Sequence, residues 1–122
     1  MPDNSEIVAK FCQAWSRMDA KEIASYFTDD AVYHNIPMAP YNGKATIQKA
    51  LEGMATRMTG VRFEIKHQVA QGSVVINERV DHMTIQGRKV SLPVVGVFEM
   101  QGGKIKAWRD YFDRGMTSGQ SS

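Results

Sequence analysis

Asp110 lies two residues after Trp108 and two before Phe112. In an extended segment these three side chains share a face, so the carboxyl group would be walled by aromatic rings. Such a setting opens its pKa to tuning, which a proton-transferring group needs. A carboxylate merely hydrogen-bonded in the core would show the same spacing. Arg79 and Asp81 are also two apart, on a face shared with Val75, Asn77 and Met83. The opposite face carries Val74, Ile76, Glu78, Val80 and His82. Both faces are mixed, so alternation leaves open whether Arg79 and Asp81 point inward or form a salt bridge on a solvated edge. Tyr33 and Asn35 share a face by the same spacing, a weak signal taken alone.

These residues need elements to hold them. The chain has 122 residues, one domain's worth, with 43% hydrophobic and 23% charged residues, as in ordinary globular proteins. A single domain over 1–122 is expected, its core over about 6–114, with a flexible tail from 115 to 122. Asn4 or Ser5 can cap a first helix whose apolar stripe is Ile7, Val8, Phe11 and Trp15. Asp19 opens a second, short helix with Ile23, Tyr26 and Phe27 buried. A strand over 31–36 follows, then a loop punctuated by Pro37, Pro40 and Gly43. A third helix over about 44–58 presents Ile47, Leu51, Met54, Ala55 and Met58, and Gly60 is expected to end it.

Beyond Gly60 the pattern changes to period two. Val61, Phe63, Ile65, His67 and Val69 form one face of a long strand. Further strands are expected over 73–85, 89–100 and 104–112, separated by glycine turns at Gly72, Gln86-Gly87 and Gln101-Gly102-Gly103. In the last of these, Lys104, Lys106, Trp108, Asp110 and Phe112 are expected on one face. Helices gathered ahead of antiparallel hairpins give an α+β fold. Strands this long must bend to enclose a cavity, and Gly96 offers a bend point.

Several classes are disfavoured. Fifteen basic residues against 13 acidic ones give a net charge of +2 with no concentrated basic face, so no nucleic-acid partner is expected. No apolar run approaches the roughly 20 residues that span a bilayer, and no membrane association is expected. No basic segment followed by an apolar one opens the chain, and Cys12 is the single cysteine, which excludes an intrachain disulfide and a cysteine-based zinc site. A cytoplasmic location is therefore expected. His34, His67 and His82 show no ligand spacing, and no metal or other cofactor is expected.

Three segments, YHNIP (33–37) with the MAPYNGK that follows, ERVDHM (78–83) and GVFEMQGGKIKAWRDYFD (96–113), together resemble the limonene-1,2-epoxide hydrolase family. That family belongs to the nuclear-transport-factor-2-like and SnoaL-like cone folds. The resemblance implies a strongly curved mixed sheet, wrapped with N-terminal helices into a cone around an apolar pocket. It implies Asp81 as the acid that protonates the epoxide oxygen and Asp110 as the base that deprotonates water. Arg79 would bridge the two carboxylates, while Tyr33 and Asn35 would hold the water beside the base. Met54, Met58, Met83, Leu92, Val94, Trp108 and Phe112 fall at or beside positions that line the family's pocket. The resemblance also implies a small apolar epoxide and water as substrates, and a homodimer built on the outer face of the sheet.

The set suits the reaction. Neutral water attacks an epoxide poorly, so opening the ring requires a proton delivered to one side and removed from the other. Another cone-fold enzyme, such as an epoxide-opening cyclase or a ketosteroid-isomerase-like isomerase, would share a carboxylate in an apolar pocket, as fold alone does not fix function. An isomerase has no need of a water-holding pair. A non-catalytic binding domain has no need of Arg79, Asp81 and Asp110 together.

Overall fold

The structure is a computed structural model and describes residues 2–118. Helix α1 (Asn4–Ala14) is capped by Asp3, whose carboxylate accepts the Glu6 N–H at 2.8 Å. The cap thus precedes Asn4 and Ser5, the residues expected to provide it. Val8 and Phe11 are buried, and Trp15 opens a 3₁₀ turn, Trp15–Arg17. Helix α2 (Ala20–Ala24) starts at Asp19, which accepts from the Glu22 N–H. Helix α3 (Lys44–Arg57) buries Ile47, Leu51 and Met54. Among the described residues, the strands are β1 (Phe27–Asn35), β2 (Tyr41–Asn42), β3 (Met58–Gln71), β4 (Val74–Ile85), β5 (Arg88–Gln101) and β6 (Lys104–Tyr111).

They form one sheet in the order β2-β1-β6-β5-β4-β3. β1 and β6 pair in parallel and the other neighbours are antiparallel, so the sheet is mixed. The helices and the 3₁₀ turn pack on its inner face. There Phe11 meets Phe27, Phe98 and Trp108 edge to face, at centroid separations of 4.9–6.0 Å.

The structure corrects several expectations. β1 begins at Phe27 rather than residue 31, and β2 lies within the expected loop. Helix α3 ends at Arg57, and Met58 is already extended. Gly60, expected as the helix stop, sits instead in β3 with φ of 60°. The register shifts there, between Thr59 and Arg62. Gly115–Ser118, which lie in the segment expected as the tail, form one helical turn, α4, and this leaves the expectation of a tail unchanged. The remainder, 119–122, lies outside the described residues.

Two extra residues reverse the alternation. In β3, Ile65 faces Arg79 and His67 faces Glu78, which leaves Lys66 as a bulge. His67 and Val69 therefore point out, and Gln68 takes the inner face opposite Asn77. In β6, Ile105 faces Met100 and Ala107 faces Glu99, which leaves Lys106 as the extra residue. Ile105 and Trp108 are consequently both fully buried, while Lys104 and Lys106 are exposed. The single face expected from Lys104 to Phe112 holds only downstream of that bulge.

Candidate active site

On β4 the structure resolves the ambiguity of the sequence. Val75, Asn77, Arg79 and Asp81 are all buried on the inner face, with Arg79 at 0% exposure. Arg79 lies opposite Val94 on β5, and Asp110 is one strand further, on β6. Two strand spacings are about 10 Å, so the arginine must reach diagonally across β5. Gly96 opens the route. It pairs with Asn77 on one side and Asp110 on the other, and has no side chain to block the guanidinium. Gly96, expected as a bend point, is a site of close approach, since a Cβ there would overlap Arg79 Nη1 and lie 2.8 Å from Asp110 Oδ1.

All five guanidinium N–H groups have partners. Nε donates to Asp81 Oδ1 at 3.0 Å, and Nη2 donates to Asp81 Oδ2 and Asp110 Oδ2, both at 2.8 Å. Nη1 donates to Asp110 Oδ1 at 3.2 Å and to Asn77 Oδ1 at 3.0 Å. The Phe63 ring lies 4.8 Å from Cζ and that of Trp108 5.8 Å, adding cation–π attraction. The planar fork suits this double bridge, whereas a lysine would present one point charge.

Asp110 also accepts the Trp108 indole N–H at 2.6 Å. Burial raises its pKa to about 6, against the opposing pull of Arg79, and the like charge of Asp81 acts in the same direction as burial. Burial opposes the charge on Arg79, but Asp110 and Asp81 outweigh it and hold its pKa well above the usual value. The parallel register sets Asn35 beside Asp110 and Tyr33 beside Trp108. The Tyr33 ring stacks on Trp108 at 4.2 Å, and its hydroxyl donates to Asn35 Oδ1 at 3.4 Å. Burial, first of all, pushes the phenol pKa up, so Tyr33 remains a protonated donor.

Asp81, Asp110, Tyr33 and Asn35 all face a cavity of about 330 Å³. Of the wall residues expected from sequence, Met54, Met58, Met83, Leu92, Val94 and Phe112 line it. Trp108 does not. It is fully buried behind the site, stacked between Tyr33 and Phe98, with its indole N–H committed to Asp110. Sequence reasoning missed Trp15, Met38, Tyr41, Arg57, Val61, Phe63 and Ile85 in the wall. Trp15 and Phe63 stack on each other at 4.8 Å, and both had been assigned to apolar stripes without a site in view. Asn77 and Gln68 were also missed as polar neighbours of the cluster, although Asn77 shares a face with Arg79. All three histidines are engaged elsewhere: His34 with the Met38 carbonyl, His67 with Glu78, and His82 with Ser91 and Glu64.

The bent mixed sheet, with helices closing its inner face over a polar cluster, defines an NTF2-like cone fold. An NTF2-like protein from Burkholderia pseudomallei superposes with a TM-score of 0.86 at 17% identity, over 100% of this chain and 99% of that one. An LEH-like epoxide hydrolase from Mycobacterium tuberculosis superposes with a TM-score of 0.87 at 30% identity, over 97% of this chain and 88% of that one. Epoxide hydrolase EphG of M. tuberculosis is 36% identical over 108 residues, 87% of this chain and 70% of the relative. The family described as the limonene-1,2-epoxide hydrolase catalytic domain matches residues 2–118. The chain belongs to the limonene-1,2-epoxide hydrolase family.

Proposed function

We propose that this protein adds water to a small, mostly apolar epoxide in one step, giving a vicinal diol without a covalent intermediate. The observation that carries the reading is one buried guanidinium bound to two carboxylates that face the same largely apolar cavity. With both acids ionised this cluster has a net charge of −1, and one proton shared by the pair makes it neutral, the form that burial favours. The cluster thus supplies one acid and one base.

The register of β1 on β6 supports a division of the roles. Asn35 lies beside Asp110 and accepts from the Tyr33 hydroxyl, which favours water held there with Asp110 as its base. Asp81 gives its proton to the epoxide oxygen as the C–O bond breaks. The water oxygen forms the new C–O bond, and its proton passes to Asp110. A proton then returns from Asp110 to Asp81 before the next turnover. Holding water, base and acid in line converts an encounter into a positioned attack. The four wall methionines, Met38, Met54, Met58 and Met83, suit apolar guests of varied shape.

The test is a single turnover in oxygen-18 water with enzyme in excess. Label is expected in the diol on that first turnover, with inversion at the attacked carbon and none in Asp81 or Asp110. Unlabelled diol, followed by label in a carboxylate, would mean an ester intermediate and would end this reading.

The pH dependence follows from Asp110. The working pair must hold one proton, and beside the negative charge of Asp81 that proton is taken up as pH falls through about 6, so kcat/KM is expected to fall about tenfold per unit as pH rises above about 6. A pair of ordinary carboxylates would lose it already above about pH 4. Stability runs the same way for this group. Its folded pKa is raised above the usual 3.8, so its contribution is complete below that value and is lost as pH rises through about 6. A rate that keeps rising from pH 5 to pH 8 would overturn this account of the shared proton.

The same reading includes a cytoplasmic homodimer. No helix among the described residues is long and apolar enough to cross a membrane. Ile76, Val95 and Tyr111 are about two-fifths exposed on the outer face of adjacent strands, which supports pairing through that face. Light scattering is expected to give twice the chain mass, and a Val95→Arg variant to give the chain mass; a monomeric wild type would refute the pairing.

A further inference from the structure

We propose that Asn77 is a positioning residue of the reaction, and that it governs how Arg79 is shared between Asp81 and Asp110. The inference rests on the roles proposed above for those three residues.

Asn77 is 1% exposed and fully committed. Its Oδ1 accepts from Arg79 Nη1 at 3.0 Å, the same nitrogen that donates to Asp110 Oδ1 at 3.2 Å. Its Nδ2 donates to Gln68 Oε1 at 3.1 Å and points at Cys12 Sγ at 3.7 Å. These two acceptors fix which way the amide is turned, because a flipped amide would set its NH₂ against the guanidinium. Gln68 is fixed in turn. Its Nε2 donates to the Ser5 hydroxyl at 2.7 Å and the Ser5 carbonyl at 2.9 Å. The first turn of α1 is thereby tied to the guanidinium through two side-chain amides.

The arrangement depends on the Lys66 bulge, which turns Gln68 inward opposite Asn77. It depends also on Gly96, since a Cβ there would lie 3.1 Å from Asn77 Oδ1. Arg79 has four of its five N–H groups on the two acids, so one acceptor decides the tilt of the fork. With Asn77 in place, Nη1 is held by both Asn77 Oδ1 and Asp110 Oδ1. Without it, the fork is free to settle on one acid at the expense of the other. The charged and titratable groups facing this point are Arg79 and Asp81 from β4, Asp110 from β6, Tyr33 from β1 and Cys12 from α1. Burial pushes the Cys12 thiol up to about 12, so it remains neutral and adds no charge there at working pH.

Three variants test this against wild type, with a cycloalkene oxide as substrate and thermal melts to select conditions where each is folded. Asn77→Asp keeps the acceptor for Arg79 and adds a third negative charge beside one guanidinium. The pH at which kcat/KM falls off is expected to move up by about one unit. Asn77→Leu removes the acceptor and is expected to lower kcat at least about tenfold with KM within twofold. Gln68→Met releases the amide without touching Arg79, and a smaller fall in kcat with unchanged KM is expected. If Asn77→Asp does not fold, the kcat-against-KM split of the other two decides. A purely structural role predicts lower melting temperatures with kcat of the folded protein and the pH profile unchanged, and that result would overturn the proposal. An Asp110→Asn control separates the two levels. If it stays active, the proposed roles of the acids fail. If it is inactive while the Asn77 and Gln68 variants keep wild-type kcat and profile, only the positioning role fails.

Discussion

Asp81→Asn and Asp110→Asn are each expected to fold and to lose diol formation by about 10³-fold or more, the scale of removing a positioned acid or base. The expectation of a folded product comes from counting charge. Arg79 is buried against two carboxylates, and either substitution leaves it one. Asparagine matches the shape of aspartate and still offers one oxygen to the fork. It can neither give the proton that opens the ring nor take one from water. The double variant is different. It strands a fully buried guanidinium without a countercharge, and a cost of about 3–5 kcal/mol is expected. Turnover and urea unfolding of the three variants check this. Near-wild-type turnover in either single variant would overturn its role, and a double variant as stable as the singles would overturn the charge argument.

Gly96→Ala is expected to lower kcat by about 10²-fold, as loss of a preorganised electrostatic partner does, and stability by about 1–3 kcal/mol, as overpacking does. The added methyl would overlap Arg79 Nη1. A flexible side-chain end would ordinarily move aside at little cost. Here that end is held by five hydrogen bonds and two aromatic rings, so moving it breaks the bridge to Asp110. The backbone itself is not the difficulty, because Gly96 is not among the residues of positive φ. A crystal structure of the variant should show Arg79 withdrawn from Asp110. Turnover within twofold of wild type would show that the direct bridge is dispensable.

Much of this architecture could be read from residue order. The three helices, the four long strands and their glycine turns fall within a few residues of the expected places, because each rests on local periodicity or turn chemistry. Four of the five polar residues of the candidate site and six of the seven wall residues face one cavity, with Arg79 buried against its two carboxylates. Faces were harder to read. Alternation assumes that no residue is inserted, and Lys66 and Lys106 break it without any local signal in the sequence. The inward turn of Gln68 therefore could not be anticipated. Nor could the place of Trp108. Spacing put it on the face of Asp110, but only the parallel pairing of β1 with β6 slides Tyr33 over its ring and shuts it off from the cavity. Long-range register of that kind leaves no trace in a local pattern.

That pairing has a consequence for how the molecule comes together. The last strand in sequence occupies an interior place in the sheet, between β1 and β5. Residues 27–35 must wait for residues 105–110 before their ladder closes, so the contacts that finish the fold are among the most distant in the chain. As the chain leaves the ribosome, β3, β4 and β5 can pair as a meander of hairpins. Arg79 then has Asp81 but not Asp110. Arrival of β6 delivers the second carboxylate, joins β1 to the sheet and sets Asn35 beside it. The candidate site is thus complete only once β6 has paired with both β1 and β5.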